Sequence, residues 1–442
     1  MRCDPDPGAS KAGNPDKCHA MARRSREEHH VILLQRSVRA ARGARDRIGN
    51  NDTANAMRLT FIGCPFKTSY GVYIDALRGA LQAHCGERIE WVASNCGCGD
   101  PVERDRHFQA RPTAYFEMSH VGDYESSSPW KRWLRRNARS LSYRARARRY
   151  ARMSGNREVL HFQQTLHAYG AMAALHWLRT PGPAAKVVTL HEIDPYQGKF
   201  PQINQVYNRA DALIVHGGEL RERLLKLGVQ ASRIHLLPYG TEVGEPPGAD
   251  AREGVVFYGG HHLLSGKGLD ALLAAVGLLR ERLGERAPRV RIHGHYGTET
   301  PPEALKLAAS SGAADRVVWL NQIEEAAIAP LYRSAEVAVL PYTGSFAGLA
   351  AGAAAANGAA VIGTRRAGLP EHLGECAVWV EENNPAPLAE ALEALLSQPE
   401  RRAELAARAY TRARERLGWP SVAEQTFEVY QAALRERAAR GE

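Results

Sequence analysis

Residues Ala335–Cys376 read AEVAVLPYTGSFAGLAAGAAAANGAAVIGTRRAGLPEHLGEC, and this stretch decides the fold. Val337–Leu340 is a short apolar run of the kind buried on both faces of a parallel sheet. Thr343, Gly344 and Ser345 make a turn, with Ser345 as the expected N-cap of the helix that follows. That helix is almost entirely Ala and Gly, so its backbone can lie close to whatever faces it. Asn357-Gly358 ends it, Val361-Ile362 opens another strand, and a turn follows at Ala367-Gly368-Leu369-Pro370. A helix N-terminus outside the carboxyl end of a parallel strand aims free N–H groups and a positive dipole end at an anion. The same pattern also describes an ordinary βαβ unit with no ligand.

Working outward, the segment after Glu253 is a βα series. Gly254–Tyr258, Val290–Gly294, Val317–Leu320 and Val378–Val380 read as strands, and Leu269–Leu283 and Ala386–Leu396 as helices. A separate βα series precedes it. Leu59–Gly63, Ile89–Val92, Val159–Phe162, Lys186–Leu190, Ala212–Val215 and Ile234–Leu237 are its expected strands; Val72–Cys85, Leu166–Leu178 and Gly218–Leu227 are its helices. Alternation at this spacing predicts two doubly wound α/β domains with a cleft between them. The expected division is an N-terminal domain at 57–241, a polar, proline-containing linker at 242–253, a C-terminal domain at 254–416 and a closing helix at 417–442. Residues 1–56 lack core periodicity and are expected to be a disordered extension, with Met57, followed at once by the first strand, as an alternative start.

The chain has 442 residues, 44% of them hydrophobic and 24% charged, which fits a soluble two-domain protein with an appendage. No apolar run of about eighteen residues is long enough to span a bilayer, and no secretory leader is legible. Seven cysteines, an odd number, point to reduced thiols and a cytoplasmic setting. Cys96-Gly97-Cys98 has no second pair at zinc spacing, so no metal site is expected there. The net charge of +10 is local: Lys131–Arg152 holds ten basic residues and no acid. Trp130, Trp133, Tyr143 and Tyr150 interleave with them, so Trp130–Arg152 is expected to contact an anionic membrane surface or anionic acceptor. Nucleic acid is not expected, because no other patch of this density exists.

Taken in order, the motifs resemble the GT-B glycosyltransferases of the retaining family 4, or group 1. They are Gly71 in the first turn, His161, Thr189-Leu190-His191-Glu192, Leu237-Pro238-Tyr239-Gly240-Thr241, Gly266-Lys267-Gly268, Asn357–Ile362 and Gly368-Leu369-Pro370-Glu371. The closing Gly418-Trp419 with Val429-Tyr430 resembles the family's crossover helix. The resemblance implies a GT-B fold with two Rossmann-like domains and a nucleotide sugar in the cleft. It also implies a glycan or lipid-linked acceptor, and no metal or other cofactor. Lys267 then matches the diphosphate-binding Lys, while His261 and His262 stand where the family has Arg. A histidine there predicts donor affinity that falls as pH rises above about 6.5.

Gly71, His161, Ser345, Gly348 and Leu349 are the further expected donor contacts; His191 and Glu192, with Lys267, are the expected catalytic group. The family's two glutamates, eight positions apart, fall on Ser345 and Ala353, neither acidic. Two rival readings therefore stay open: a non-catalytic relative that binds a nucleotide or a partner, and a sugar-nucleotide epimerase. Arg365 and Arg366 are either replacements for the missing diphosphate Arg or solvated surface.

Overall fold

The computed structural model describes residues 56–62, 69–95, 154–163, 176–191, 206–246, 252–260, 263–294, 296–344 and 348–440, with scattered positions between 128 and 152. The extension at 1–55 and most of Trp130–Arg152 lie outside the described residues.

Two six-stranded sheets organise the chain, every pairing in them parallel. The first comprises β1 (Met57–Ile62), β2 (Ile89–Asn95), β3 (Glu158–Gln163), β4 (Ala185–Leu190), β5 (Ala212–Val215) and β6 (Ile234–Leu236), in the order 2-1-3-4-5-6. The second comprises β7 (Val255–Gly260), β8 (Val290–Gly294), β9 (Val317–Asn321), β10 (Val337–Leu340), β11 (Ala360–Thr364) and β12 (Val378–Val380), in the order 12-11-10-7-8-9. Strands β3, β4, β5, β10 and β11 are buried at every residue, β5 and β10 as wholly apolar runs and β3 and β4 with polar residues among them.

The order of the second sheet reverses direction between β7 and β10. Ligands of open α/β sheets sit at such switch points, outside the carboxyl ends of the strands. Two loops leave the sheet there. One runs from β7 to α3 (Leu269–Leu283), the other from β10 to α6 (Leu349–Ala356). They are tied together, since the Thr343 and Gly344 N–H groups both donate to the Gly266 carbonyl at 3.0 and 2.9 Å.

Among the other helices, α1 (Ser69–Cys85) packs against the first sheet and α2 (Gly218–Lys226) follows β5. Helix α7 (Leu369–Leu373) follows β11. The expected turn at Gly71 is already helix, because α1 begins at Ser69. The chain ends in α9 (Pro399–Arg412), a π-helical turn at Ala413–Leu417, and α10 (Trp419–Ala439). The π turn interrupts the ladder and Gly418 then leaves helical geometry, so α10 heads away from the second domain. It packs on α1 and β4, and Val422, Phe427, Tyr430 and Ala433 join the same apolar cluster as Leu59, Leu77, Val187 and Ile214. Thr241, just after β6, forms a parallel bridge with Gly418 and donates its N–H to the Leu417 carbonyl at 2.8 Å.

Candidate functional site

Lys267 ends the β7–α3 loop at the switch point and is only 5% exposed. Its ammonium lies 4.0 Å from the centroid of the Tyr342 ring and 5.5 Å from that of Tyr258, a cation–π seat. Burial brings its pKa down to about 7. The next residue fixes the loop: Gly268 has φ +71°, and a Cβ there would stand 2.0 Å from the Pro341 carbonyl oxygen. Only glycine allows β10 and the Lys267 loop to approach so closely.

Across the switch point, Gly348 rather than Ser345 is the N-cap of α6, with φ +73° and no side-chain cap. The expectation placed the helix start three residues early, because Ser345 suits a cap locally, whereas the residue before Leu349 takes a left-handed backbone that suits glycine. Ser345 itself lies outside the described residues, as do His261, His262 and Glu192. The first turn of α6 lies at the carboxyl end of β10, with the Ala351 and Gly352 N–H groups bonded to the Gly348 carbonyl, and a helix N-terminus there attracts an anion. Leu349 is 37% exposed and Ala353, one turn on, is half-buried, so the accessible stripe of α6 is apolar. Asn357 turns back to donate from Nδ2 to the Ala353 carbonyl at 2.8 Å.

The facing domain contributes imidazoles. His161 is wholly buried inside β3 rather than placed at its end. Its Nδ1 lies 2.7 Å from the Tyr430 hydroxyl, and its Nε2 2.7 Å from Thr189 Oγ1 and 3.2 Å from Gln163 Nε2. Burial lowers its pKa to about 3, so both nitrogens of a neutral ring are engaged within the protein. His191, just past β4, is 6% exposed and held through Nε2 by Gln163 Oε1 at 3.2 Å, its pKa also pushed well down by burial. Sequence reasoning missed His216, just past β5. Its ring centroid is 5.1 Å from that of His191 and 5.3 Å from those of Tyr73 and Tyr239. Nδ1 donates to the Leu237 carbonyl at 3.0 Å, whereas Nε2 is buried with no hydrogen-bond partner among the described residues. Its one sequence signal is position: like His191, it closes a buried strand.

The two domains meet on the turn that carries Gly368. Glu371 Oε1 accepts from the Gly218 N–H at 2.7 Å, capping α2, and His372 Nε2 accepts from the Tyr239 N–H at 2.9 Å. Arg366 pairs with Glu219 of α2 at 3.0 Å and with Glu382 at 3.5 Å, and donates to the Thr343 carbonyl at 3.1 Å. It is thus partly exposed and ion-paired across the seam. Arg365 is exposed, over the Trp379 ring and 3.8 Å from Glu375. Among the described residues, no group of three or more His, Cys, Asp or Glu is arranged to hold a metal ion. No described helix is long and apolar enough to cross a membrane.

Two family models match the chain: Glycosyltransferase Family 4 over residues 71–245, and Glycosyl transferases group 1 over residues 252–398. The D-inositol 3-phosphate glycosyltransferase of Xylanimonas cellulosilytica is 34% identical over 269 residues, covering 55% of this chain and 62% of that protein. The MMP alpha-(1->4)-mannosyltransferase of Mycolicibacterium hassiacum is 30% identical over 234 residues, 52% of this chain and 56% of that protein. The chain thus spans less than two thirds of the length of the curated relatives it matches. Among solved structures, a glycosyltransferase from Rickettsia africae superposes with a TM-score of 0.62 at 14% identity, over 86% of this chain and 99% of its own. Anabaena Alr3699/HepE, solved in complex with UDP-glucose, gives 0.61 at 14% identity over 85% and 99%. Both likenesses concern the fold, the GT-B arrangement of two parallel-sheet domains.

Proposed function

Because the chain belongs to the group 1, family 4 glycosyltransferases, we propose that it moves a sugar from a nucleotide-sugar donor to a glycan or lipid-linked acceptor, with retention at the anomeric carbon. The observation that carries this reading is a buried lysine on one loop and a helix N-terminus on the other, both loops leaving the second sheet at its switch point and tied together through the Gly266 carbonyl. Lys267 supplies one full charge and the first turn of α6 supplies N–H groups, where a departing diphosphate develops its negative charge. That pairing does the work a metal ion would otherwise do, so the proposed reaction is metal-independent.

His191 is proposed to position the transferred sugar from the first-domain side. His216, beside it, supports the His191 ring from within the protein wall. His161 supports this wall through Gln163 rather than touching ligand. The rival readings, a non-catalytic relative and an epimerase, have no counterpart among the relatives named above. The enzyme is further proposed to work in the cytoplasm, peripherally on an anionic membrane face through Trp130–Arg152.

Calorimetric titration of the full chain with UDP, GDP, ADP and dTDP, beside Lys267→Ala, tests the donor site. Saturable binding of one nucleotide is expected, weakened in the variant by about tenfold or more, as befits losing a charge-assisted contact. Binding by none of the four would sink the reading.

A further inference from the structure

His372 occupies a position no expectation assigned. Its ring is wholly buried at the junction of three backbone segments. Nε2 accepts from the Tyr239 N–H of the first domain at 2.9 Å, and Nδ1, 2.8 Å away, donates to the Gly368 carbonyl. These bonds specify a neutral ring with its proton on Nδ1. The ring face lies against Gly348, where a Cβ would come within 2.6 Å of Cε1 and Nδ1. One imidazole thus touches the N-caps of both α6 and α7, together with a first-domain amide.

The surroundings hold the ring from behind. Arg412 of α9 donates to the His372 carbonyl at 2.7 Å and to the Glu371 carbonyl at 2.9 Å, fixing the backbone of α7. Glu371, Arg412 and His216 are the charged or titratable groups that act on His372 electrostatically. On the first-domain side, Gly217 packs on Gly368 and Gly218 is capped by Glu371. A movement of Gly348 therefore has no slack to dissipate into: it meets the ring, and the ring meets Tyr239.

We infer that His372 is a positioning residue that couples filling of the anion site at Gly348 to the seating of the second domain on Tyr239 of the first. The inference rests on the donor site proposed above. A diphosphate drawn to the N-terminus of α6 fixes Gly348. The imidazole then has one orientation in which both Tyr239 and Gly368 are satisfied, and the domain seam is held in its closed register. The coupling runs through packed groups with a defined acceptor at the end, which makes it separable from binding itself.

The test is site-resolved hydrogen exchange at the Tyr239 amide of the full chain, with and without saturating UDP, GDP, ADP or dTDP. In the natural protein the nucleotide that binds is expected to slow exchange at Tyr239 by about tenfold. His372→Asn keeps a polar group near Gly368 but does not reach Tyr239; it is expected to bind the nucleotide and lose the slowing. His372→Gln places an oxygen near the Nε2 position and is expected to restore it. Equal slowing in His372→Asn, or no restoration in His372→Gln, overturns the role of the Nε2 acceptor. Should His372→Asn fail to fold, His372→Gln alone decides between restoration and loss. Nucleotide binding without any slowing in the natural protein overturns the coupling and leaves the donor site standing. No binding of any nucleotide removes the donor reading itself, and the coupling with it.

Discussion

Lys267 sits where an ammonium is costly, and that cost sets its usefulness. It is 5% exposed over two tyrosine rings, and burial holds its pKa at about 7 instead of the usual 10.5. A diphosphate beside it favours the charged form, so binding takes up a proton when the pH lies above the free value. Nucleotide affinity is therefore expected to fall by up to about tenfold per pH unit as pH rises through 7 to 9. Titration calorimetry in two buffers of different ionisation enthalpy would register the proton uptake directly. An affinity flat across that range would show that Lys267 does not touch the anion. Anion contact through His261 or His262 would give the same sign with a midpoint near about 6.5, so the midpoint tells lysine from histidine.

At the scale of elements, two features carry most of the geometry. The first is the start of α6. Gly348→Ala would put a Cβ at φ +73°, costing about 1–2 kcal/mol in backbone strain before the contact with His372 is counted. Both a lower melting temperature and weaker nucleotide binding are expected. An unchanged affinity would mean that α6 does not hold the anion. The second is the docking of α10. Asp211, 3% exposed, accepts from the Lys186 N–H at 2.7 Å and pairs with Arg437 at 3.3 Å and with Arg440. Asp211→Ala leaves Arg437, itself 7% exposed, with its carbonyl contacts to Pro183 and Gly182 but without this buried counter-charge, at a cost of about 3 kcal/mol. Urea denaturation followed by fluorescence would read this as a lower midpoint, with α10 detaching from α1 and β4.

For the whole molecule, the domain seam and the core beneath it are dense in neutral histidines. His161 is held at about 3 and His216 at about 4, and burial also lowers His191 and His372. Each binds its proton in the unfolded chain from about pH 6.5 downward but in the folded chain at lower pH, far lower for His161, His191 and His216. The stability they contribute is thus complete above about 6.5 and lost as pH falls, by up to about 1.4 kcal/mol per unit for a ring whose folded pKa lies far below that range. Unfolding free energy measured in urea from pH 7.5 to 5.5 is expected to drop steeply, and His216→Leu to flatten the slope by one ring's share. An unaltered slope would place the acid sensitivity elsewhere.

The chain's local pattern was enough to specify two βα series, the strand bounds near β10 and β11 and the glycines of the turn at Gly368. Those features depend on residues close in sequence: apolar runs, backbone freedom and alternation. It also carried the family, through the order of its motifs. What only the tertiary structure decided was which polar groups face the cleft and which are used up inside the protein. His161, His191, His216 and His372 are alike as letters. Their roles diverge because Tyr430, Gln163, Leu237 and Tyr239, the last 133 residues from His372, arrive as partners only when the sheets and α10 have packed. Hydrogen-bond partners and desolvation are set by non-local contacts, and a titratable side chain acquires its chemistry from them.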